Sequence, residues 1–205
     1  EEYVVARKYI LYREERARER SLAQQHAPIP KSKVSTLKVT CSDGSSKPLD
    51  EARLSRILEE ACGGIEGTNF TTLLEETKRS LFDGVAEEDV DKAATMSART
   101  FVEREPNYTY VAARLLLDSL RKEALSFVAG RKEEATQAEM SEKYPEYFQN
   151  YIKKAIDLEL LDPRLANYDL SKLGAAIKPE RDFNFNYLGI QTLYDRYFIQ
   201  SNDIR

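Results

Sequence analysis

The sequence predicts a mainly α-helical fold with one short β-hairpin. Apolar residues recur at helical spacing through most of the 205 residues. The clearest strand signal is an Asp-Gly dipeptide between two short β-prone runs, and four helical segments follow it. The hydrophobic content of 41% is enough to bury a core. We therefore expect a folded, helix-rich protein.

The first segment, YVVARKYILYREERARER at 3–20, is amphipathic and predicts a helix. Its alternating charges are typical of a solvated helix face with ion pairs four residues apart. The segment AQQHAPIPKSK at 23–33 follows, and its Pro28 and Pro30 favour an extended linker. His26 lies in this linker, so we expect an exposed imidazole without a catalytic role.

Residues 34–62 predict the hairpin and the first helix of the middle section. Asp43-Gly44 tolerates the positive φ of a tight turn, and Pro48 fits the end of a strand. Asp50 is placed to cap the helix, which Gly63-Gly64 ends. The apolar positions of this helix follow helical spacing: Leu54, Ile57, Leu58 and Ala61.

Three further helices complete the middle section. The first has an apolar stripe from Phe70 to Leu81 and ends at Asp83-Gly84. The second begins with three acidic residues at 87–89, which suit a helix N-terminus, and is stopped by Pro106. The third, at 108–128, is apolar on most sides. We expect it to be the most buried of the four helices.

Charge argues against a nucleic-acid partner. The net charge is −4, and 31 basic against 35 acidic residues leave no basic surplus to neutralise a phosphate backbone. Residues 37–126 are the most acidic section, with 12 basic and 17 acidic side chains. No run reaches the roughly 18 to 20 apolar residues of a membrane-spanning helix, and no signal peptide is evident. We therefore expect a soluble, cytoplasmic protein with no membrane partner.

The two cysteines do not form a metal site. Cys41 and Cys62 lie 21 positions apart, and neither has a second Cys or His at ligand spacing. The sequence therefore predicts no zinc centre. Buried free thiols are expected, and one disulfide is the alternative.

The first helix repeats the last helix of the middle section. Placing residues 3–17 on residues 110–124 gives identical residues at a constant offset of 107. Self-similarity at fixed spacing indicates repeated units, although chance agreement between two amphipathic helices remains the alternative. The matched positions are Tyr3 with Tyr110, Val4 with Val111, Ala6 with Ala113, Arg7 with Arg114 and Ala17 with Ala124.

Three segments of the middle section resemble the ATP-cone, the nucleotide-sensing regulatory domain of ribonucleotide reductase large subunits. They are VTCSDGSSKPLDEARLSRIL at 39–58, LFDGVAEEDV at 81–90 and YVAARLLLDSLRKEAL at 110–125. The later signature RDFNFNYLGIQTLYDRY at 181–197 is similar to the helical lead-in of the reductase catalytic domain. The resemblance implies four parts: the last helix of an upstream cone at 1–22, a linker at 23–36, a cone at 37–126 and a helical catalytic lead-in at 127–205.

The resemblance implies a parent enzyme that reduces ribonucleoside diphosphates to deoxyribonucleotides by thiyl-radical chemistry, under ATP and dATP control. It implies a homodimer formed through the catalytic domain and a small subunit that supplies the radical. Cys41 and Cys62 lie in the cone-like section, so we assign no catalytic residue and no resident cofactor to this chain. A stand-alone cone acting as a nucleotide-dependent regulator, or a helical adaptor that binds no nucleotide, is the alternative.

The family's nucleotide site maps onto six positions: Val39, Cys41, Ser42, Arg53, Leu54 and Lys122. In nucleotide-binding cones a Lys-Arg pair precedes the Asp-Gly turn and holds the phosphates, whereas Cys41 and Ser42 stand at those positions here. Losing two cations weakens triphosphate binding. We therefore expect a degenerate cone that acts as a spacer. The rival is a weakened or altered site built from Arg53, Lys122 and Lys47.

The aromatic residues of the 181–197 signature are expected to anchor the first helix of the lead-in, with Asp182 capping or turning the chain. These apolar positions are Phe183, Phe185, Tyr187, Leu188, Leu193, Tyr194 and Tyr197.

Overall fold

The computed structural model describes residues 37–41 and 44–199. The predicted helix at 1–22 and the linker at 23–36 lie outside these residues, and so do His26, Ser42 and Asp43. Within the described chain the mainly α-helical prediction is confirmed.

The predicted hairpin forms at the start of the described chain. β1 (Lys38–Thr40) pairs antiparallel with β2 (Ser46–Pro48). Gly44 adopts a φ of +80° in the turn, a conformation that glycine tolerates because it has no Cβ. The backbone N–H of Gly44 donates to the carbonyl oxygen of Cys41 at 3.0 Å, which closes the turn.

A third strand was not predicted. β3 (Val85–Ala86) pairs parallel with β1, which gives the sheet order β2-β1-β3. The Oδ1 of Asp83 accepts from the backbone N–H of Lys38 at 2.9 Å, and Thr40 Oγ1 donates to the Gly84 carbonyl at 2.9 Å. A strand of two residues leaves no alternating pattern in the sequence, so residues 83–84 appeared only as the end of a helix.

Four helices follow the hairpin: α1 (Glu51–Cys62), α2 (Phe70–Ser80), α3 (Glu87–Phe101) and α4 (Tyr108–Ala129). Asp50 caps α1 as predicted, because its Oδ1 accepts from the backbone N–H of Arg53 at 2.8 Å. α3 begins in the acidic turn at 87–89, as predicted, and ends at Phe101 in a turn that precedes Pro106.

The core lies between the sheet and the four helices. α4 packs against α1 and α3, and it holds more buried residues than any other helix of the described chain, as predicted. Leu58 of α1, Leu73 of α2 and Val111 of α4 are completely buried in this core. Burying side chains of this size supplies about 1.5–3 kcal/mol each relative to exposure.

The chain after α4 is helical, as predicted. It contains α5 (Gln137–Asp157), a 3₁₀ helix (Pro163–Asn167), α6 (Leu170–Ala175), a second 3₁₀ helix (Pro179–Asn184) and α7 (Tyr187–Arg196). α6 packs against α5 where Gly174 meets Pro145. A Cβ at position 174 would lie 2.7 Å from the Pro145 carbonyl oxygen, so this close approach needs glycine.

α7 returns to the middle section. It packs against α4, and Tyr187 at its start contacts the core formed by the sheet and helices α1 to α4. The described residues, 37–41 and 44–199, belong to one compact unit. The predicted division between 37–126 and 127–205 stays a prediction from sequence.

Candidate nucleotide pocket

A pocket of about 400 Å³ lies where the predicted site residues meet. Val39 of β1, Arg53 and Leu54 of α1 and Lys122 of α4 all line it, and Lys47 of β2 does so too. The other lining residues are Leu49, Asp50, Ile57, Glu87, Val90, Asp91, Lys132 and Glu134. The lining therefore combines apolar side chains with charged ones.

Cys41 does not line this pocket. It follows β1, is half-buried, and its thiol interacts with the ammonium group of Lys47. Ser42, the other position of the missing Lys-Arg pair, lies outside the described residues. At the described position of the missing pair, the chain therefore has a cysteine rather than a cationic side chain.

Neither cysteine forms a disulfide. Both thiols are free, which excludes the alternative of one disulfide, but each is half-buried rather than buried as predicted. Burial raises the pKa of the Cys62 thiol, although Thr68 and Arg114 act in the opposite direction. Cys62 is therefore held in its neutral form, which is a poor nucleophile.

Arg53 and Lys122, the two less exposed of the predicted pocket cations, are already paired with carboxylates. Arg53 Nε lies 2.5 Å from Glu134 Oε2, and its guanidinium also reaches Asp118 at 3.3 Å. Lys122 Nζ lies 3.1 Å from Glu134 Oε1 and 3.3 Å from Asp91 Oδ2. Burial lowers the pKa of Lys122, but Asp91 and Glu134 outweigh this effect and raise it. Both cations are charged and neutralised by side chains of the same chain.

The two lysines at the outer rim share a third carboxylate. Glu87 Oε1 accepts from Lys132 Nζ at 2.6 Å and from Lys47 Nζ at 2.9 Å. The hydrogen bond from Lys132, together with the one from Lys47, lowers the pKa of Glu87 to about 2. Among the described residues, four cationic and four acidic side chains line the pocket, so their charges sum to zero.

Sequence reasoning located three of these eight charged side chains. It named the cations Arg53, Lys122 and Lys47 but missed the acids that pair with them, and it missed Lys132. The acidic surplus of residues 37–126 was the available signal. Nothing in the sequence indicated that Glu134 contributes to the pocket, because it lies beyond the section that resembles the cone.

Comparisons with known proteins agree with this architecture. The ATP cone domain family matches residues 37–123. The chain contains an ATP cone domain. The match covers the sheet, helices α1 to α3 and α4 as far as residue 123. All described residues that line the pocket therefore belong to the cone, except Lys132 and Glu134.

Over most of its length, the chain is similar to ribonucleoside-diphosphate reductase alpha subunits. It is 38% identical to the subunit of Chlamydia muridarum over 96% of this chain and 18% of the relative. It is 31% identical to that of Helicobacter pylori over 77% of this chain and 18% of the relative. The Escherichia coli reductase 1 subunit alpha is 24% identical over 80% of this chain and 20% of the relative. The chain thus spans about a fifth of the length of these relatives.

A network of polar contacts connects the pocket of the cone to the helices that follow the cone. Asp118 of α4 is 3% exposed and lies between Arg53 and Arg121, whose guanidinium donates to Asp118 Oδ1 at 3.2 Å. Burial raises the pKa of Asp118, and the two arginines act against this effect. Arg121 also donates to Gln137 Oε1 at the start of α5, at 2.6 Å.

The same network continues into the second 3₁₀ helix. Gln137 Nε2 donates to Asp182 Oδ2 at 3.0 Å, and the Tyr144 hydroxyl donates to the same oxygen at 2.6 Å. Burial, reinforced by Asp182, raises the pKa of Tyr144 well above its usual value. Asp182 does not cap this 3₁₀ helix, because it lies inside it and Lys178 occupies the cap position. Its carboxylate instead joins α5 to the second 3₁₀ helix.

The aromatic residues of the signature play different roles. Tyr187 packs on the cone core with Arg99 4.6 Å above its ring, and Phe183 lies 4.4 Å beneath Arg114. These contacts attach the signature to the cone. Leu188 and Tyr197 are 73% and 71% exposed, so the prediction that every apolar position anchors the helix was wrong.

The residues that the structure describes contain no cluster of three or more His, Cys, Asp or Glu side chains that could hold a metal ion. Among the described helices, none is both long enough and apolar enough to cross a bilayer.

Proposed function

We propose that this chain is the regulatory, N-terminal part of the large subunit of a cytoplasmic ribonucleoside-diphosphate reductase. The similarity over 96% of the chain and the cone at 37–123 support this assignment over a stand-alone regulator or an adaptor. The parent enzyme makes deoxyribonucleotides as a homodimer that works with a radical-generating small subunit. ATP and dATP are the opposing effectors. Both cysteines lie in the cone, so the radical chemistry belongs to other residues.

Within that enzyme, the cone at 37–126 acts as a packing module rather than as the nucleotide sensor. The observation that carries this proposal is that, in the part of the chain that the structure describes, each cation lining the pocket is paired with a carboxylate. A triphosphate would have to displace these acids and would find no Lys-Arg pair before the turn. Two missing charge-assisted hydrogen bonds, at about 1.5–3 kcal/mol each, reduce affinity by two or more orders of magnitude.

The rival proposal is a weakened or altered nucleotide site. The apolar lining residues Val39, Leu54 and Ile57 favour it, because apolar side chains of this kind fit a base. Sensing would then involve Arg53 and Lys122.

An activity assay distinguishes these proposals. The complete large subunit, mixed with its small subunit, is expected to reduce ribonucleoside diphosphates and to respond to ATP and dATP. Lys122→Ala removes a pocket cation and should leave the dATP response unchanged, since sensing lies outside residues 37–126. Lys153→Ala, at an exposed position of α5, is the matched control. A dATP response lost in Lys122→Ala and retained in Lys153→Ala would contradict the proposal.

A further inference from the structure

The connection between α4 and α5, residues 130–136, contributes charged side chains to the pocket. Lys132 and Glu134 both line the pocket from this connection. The two carboxylate oxygens of Glu134 contact different cations, Oε2 facing Arg53 at 2.5 Å and Oε1 facing Lys122 at 3.1 Å. An anion bridging an arginine and a lysine in this way has the contact pattern of a bound phosphate.

The backbone on both sides of Glu134 is fixed. Ser126 Oγ accepts from the backbone N–H of Glu133 at 3.0 Å and donates to its carbonyl at 3.2 Å. Ala135 is buried in a small apolar cluster with Leu125 and Met140. These contacts fix the position from which the carboxylate of Glu134 reaches the pocket.

The start of α5 is fixed as well. The carboxylate of Glu60 on α1 accepts from the backbone N–H groups of Gln137 at 3.2 Å and Ala138 at 3.1 Å. Thr136 and Glu139 add a capping box at the same turn. The connection is thus tied to the cone beside the pocket.

We propose that Glu134 is an internal substitute for phosphate, which closes a latent polyphosphate site on Arg53 and Lys122. This inference rests on the proposed function, in which the cone binds no nucleotide. Removing the negative charge of residue 134 would take one carboxylate from each of two partly buried cations in a pocket of about 400 Å³, leaving Arg53 paired with Asp118 and Lys122 paired with Asp91. The ligand chemistry that fits them is a linear polyphosphate, either inorganic or carried by a nucleotide.

Glu134→Gln tests this proposal, with Glu133→Gln as the matched control. The two acids are neighbours with nearly equal exposure, 29% and 30%, but Glu133 pairs with Lys143 outside the pocket. Inorganic tripolyphosphate and ATP are titrated by calorimetry into residues 1–205 of each protein, after circular dichroism shows that the proteins are folded. Glu134→Gln should bind tripolyphosphate at least about tenfold more tightly than the parent chain, since one charge-assisted contact is regained on each cation.

The outcomes separate the two proposals. A gain in tripolyphosphate binding by Glu134→Gln but not by Glu133→Gln supports the inference. If Glu134→Gln also gains ATP binding, a nucleotide is a ligand of the opened site. No gain in Glu134→Gln or in Glu134→Ala, or an equal gain in Glu133→Gln, overturns the inference and leaves the proposed function intact. If the parent chain binds ATP saturably, and as tightly as the Glu134→Gln variant does, both proposals are overturned.

Discussion

Replacing Asp118 with alanine is expected to lower the free energy of unfolding by about 3–5 kcal/mol. Asp118 is 3% exposed and bridges Arg53 and Arg121, of which Arg121 is itself buried. The substitution leaves the charge of Arg121 without its carboxylate in a region from which water is largely excluded. Chemical unfolding in urea, followed by circular dichroism at neutral pH, measures the loss.

The control is Asp89→Ala. Asp89 forms the same kind of pair, with Lys92 three residues further along a helix, but both side chains are more than half exposed. Exposed pairs of this spacing contribute about 0.3–0.5 kcal/mol. If the two substitutions lowered the free energy of unfolding equally, the burial of Asp118 would not explain the contribution of its ion pair to stability.

Replacing Leu58 with alanine is expected to destabilise the cone by about 2–5 kcal/mol. Leu58 is completely buried in the core between the sheet and the helices. Truncation removes apolar area from the core and leaves a cavity that the surrounding helices can close only in part. Thermal and urea unfolding of residues 1–205 measure the effect.

Leu188→Ala is the matched control, because Leu188 is also helical but 73% exposed. Its loss should change the unfolding free energy by less than about 0.5 kcal/mol. If Leu58→Ala were as mild as Leu188→Ala, the packing described for the cone would be incorrect.

The features that followed from sequence are those with a local cause. The helices α1 to α4 were predicted because their apolar residues repeat at helical spacing, and the cap at Asp50 because a carboxylate before a helix accepts its free N–H groups. The positive φ at Gly44 followed from the Asp-Gly turn. The pocket positions Arg53 and Lys122 were located through the resemblance to the cone.

The features that did not follow from sequence depend on contacts between distant residues. β3 exists only because Val85 and Ala86 pair with β1, and two residues carry no periodic signal. The neutralisation of Arg53 requires Glu134, which is 81 positions away, and Asp182 meets Gln137 across 45 positions. Leu188 and Tyr197 look like core residues by composition, but the direction in which α7 packs leaves them exposed.

A cone that keeps its fold but has lost its nucleotide should not bind dATP or ATP. The most direct test is calorimetric titration of dATP, and separately of ATP, into residues 1–205 at high micromolar concentration, with circular dichroism confirming a folded sample. We predict no saturable heat for either nucleotide, because each described cation that lines the pocket is paired with a carboxylate of the chain. Saturable binding that Arg53→Ala abolishes would contradict the claim and establish a working nucleotide site.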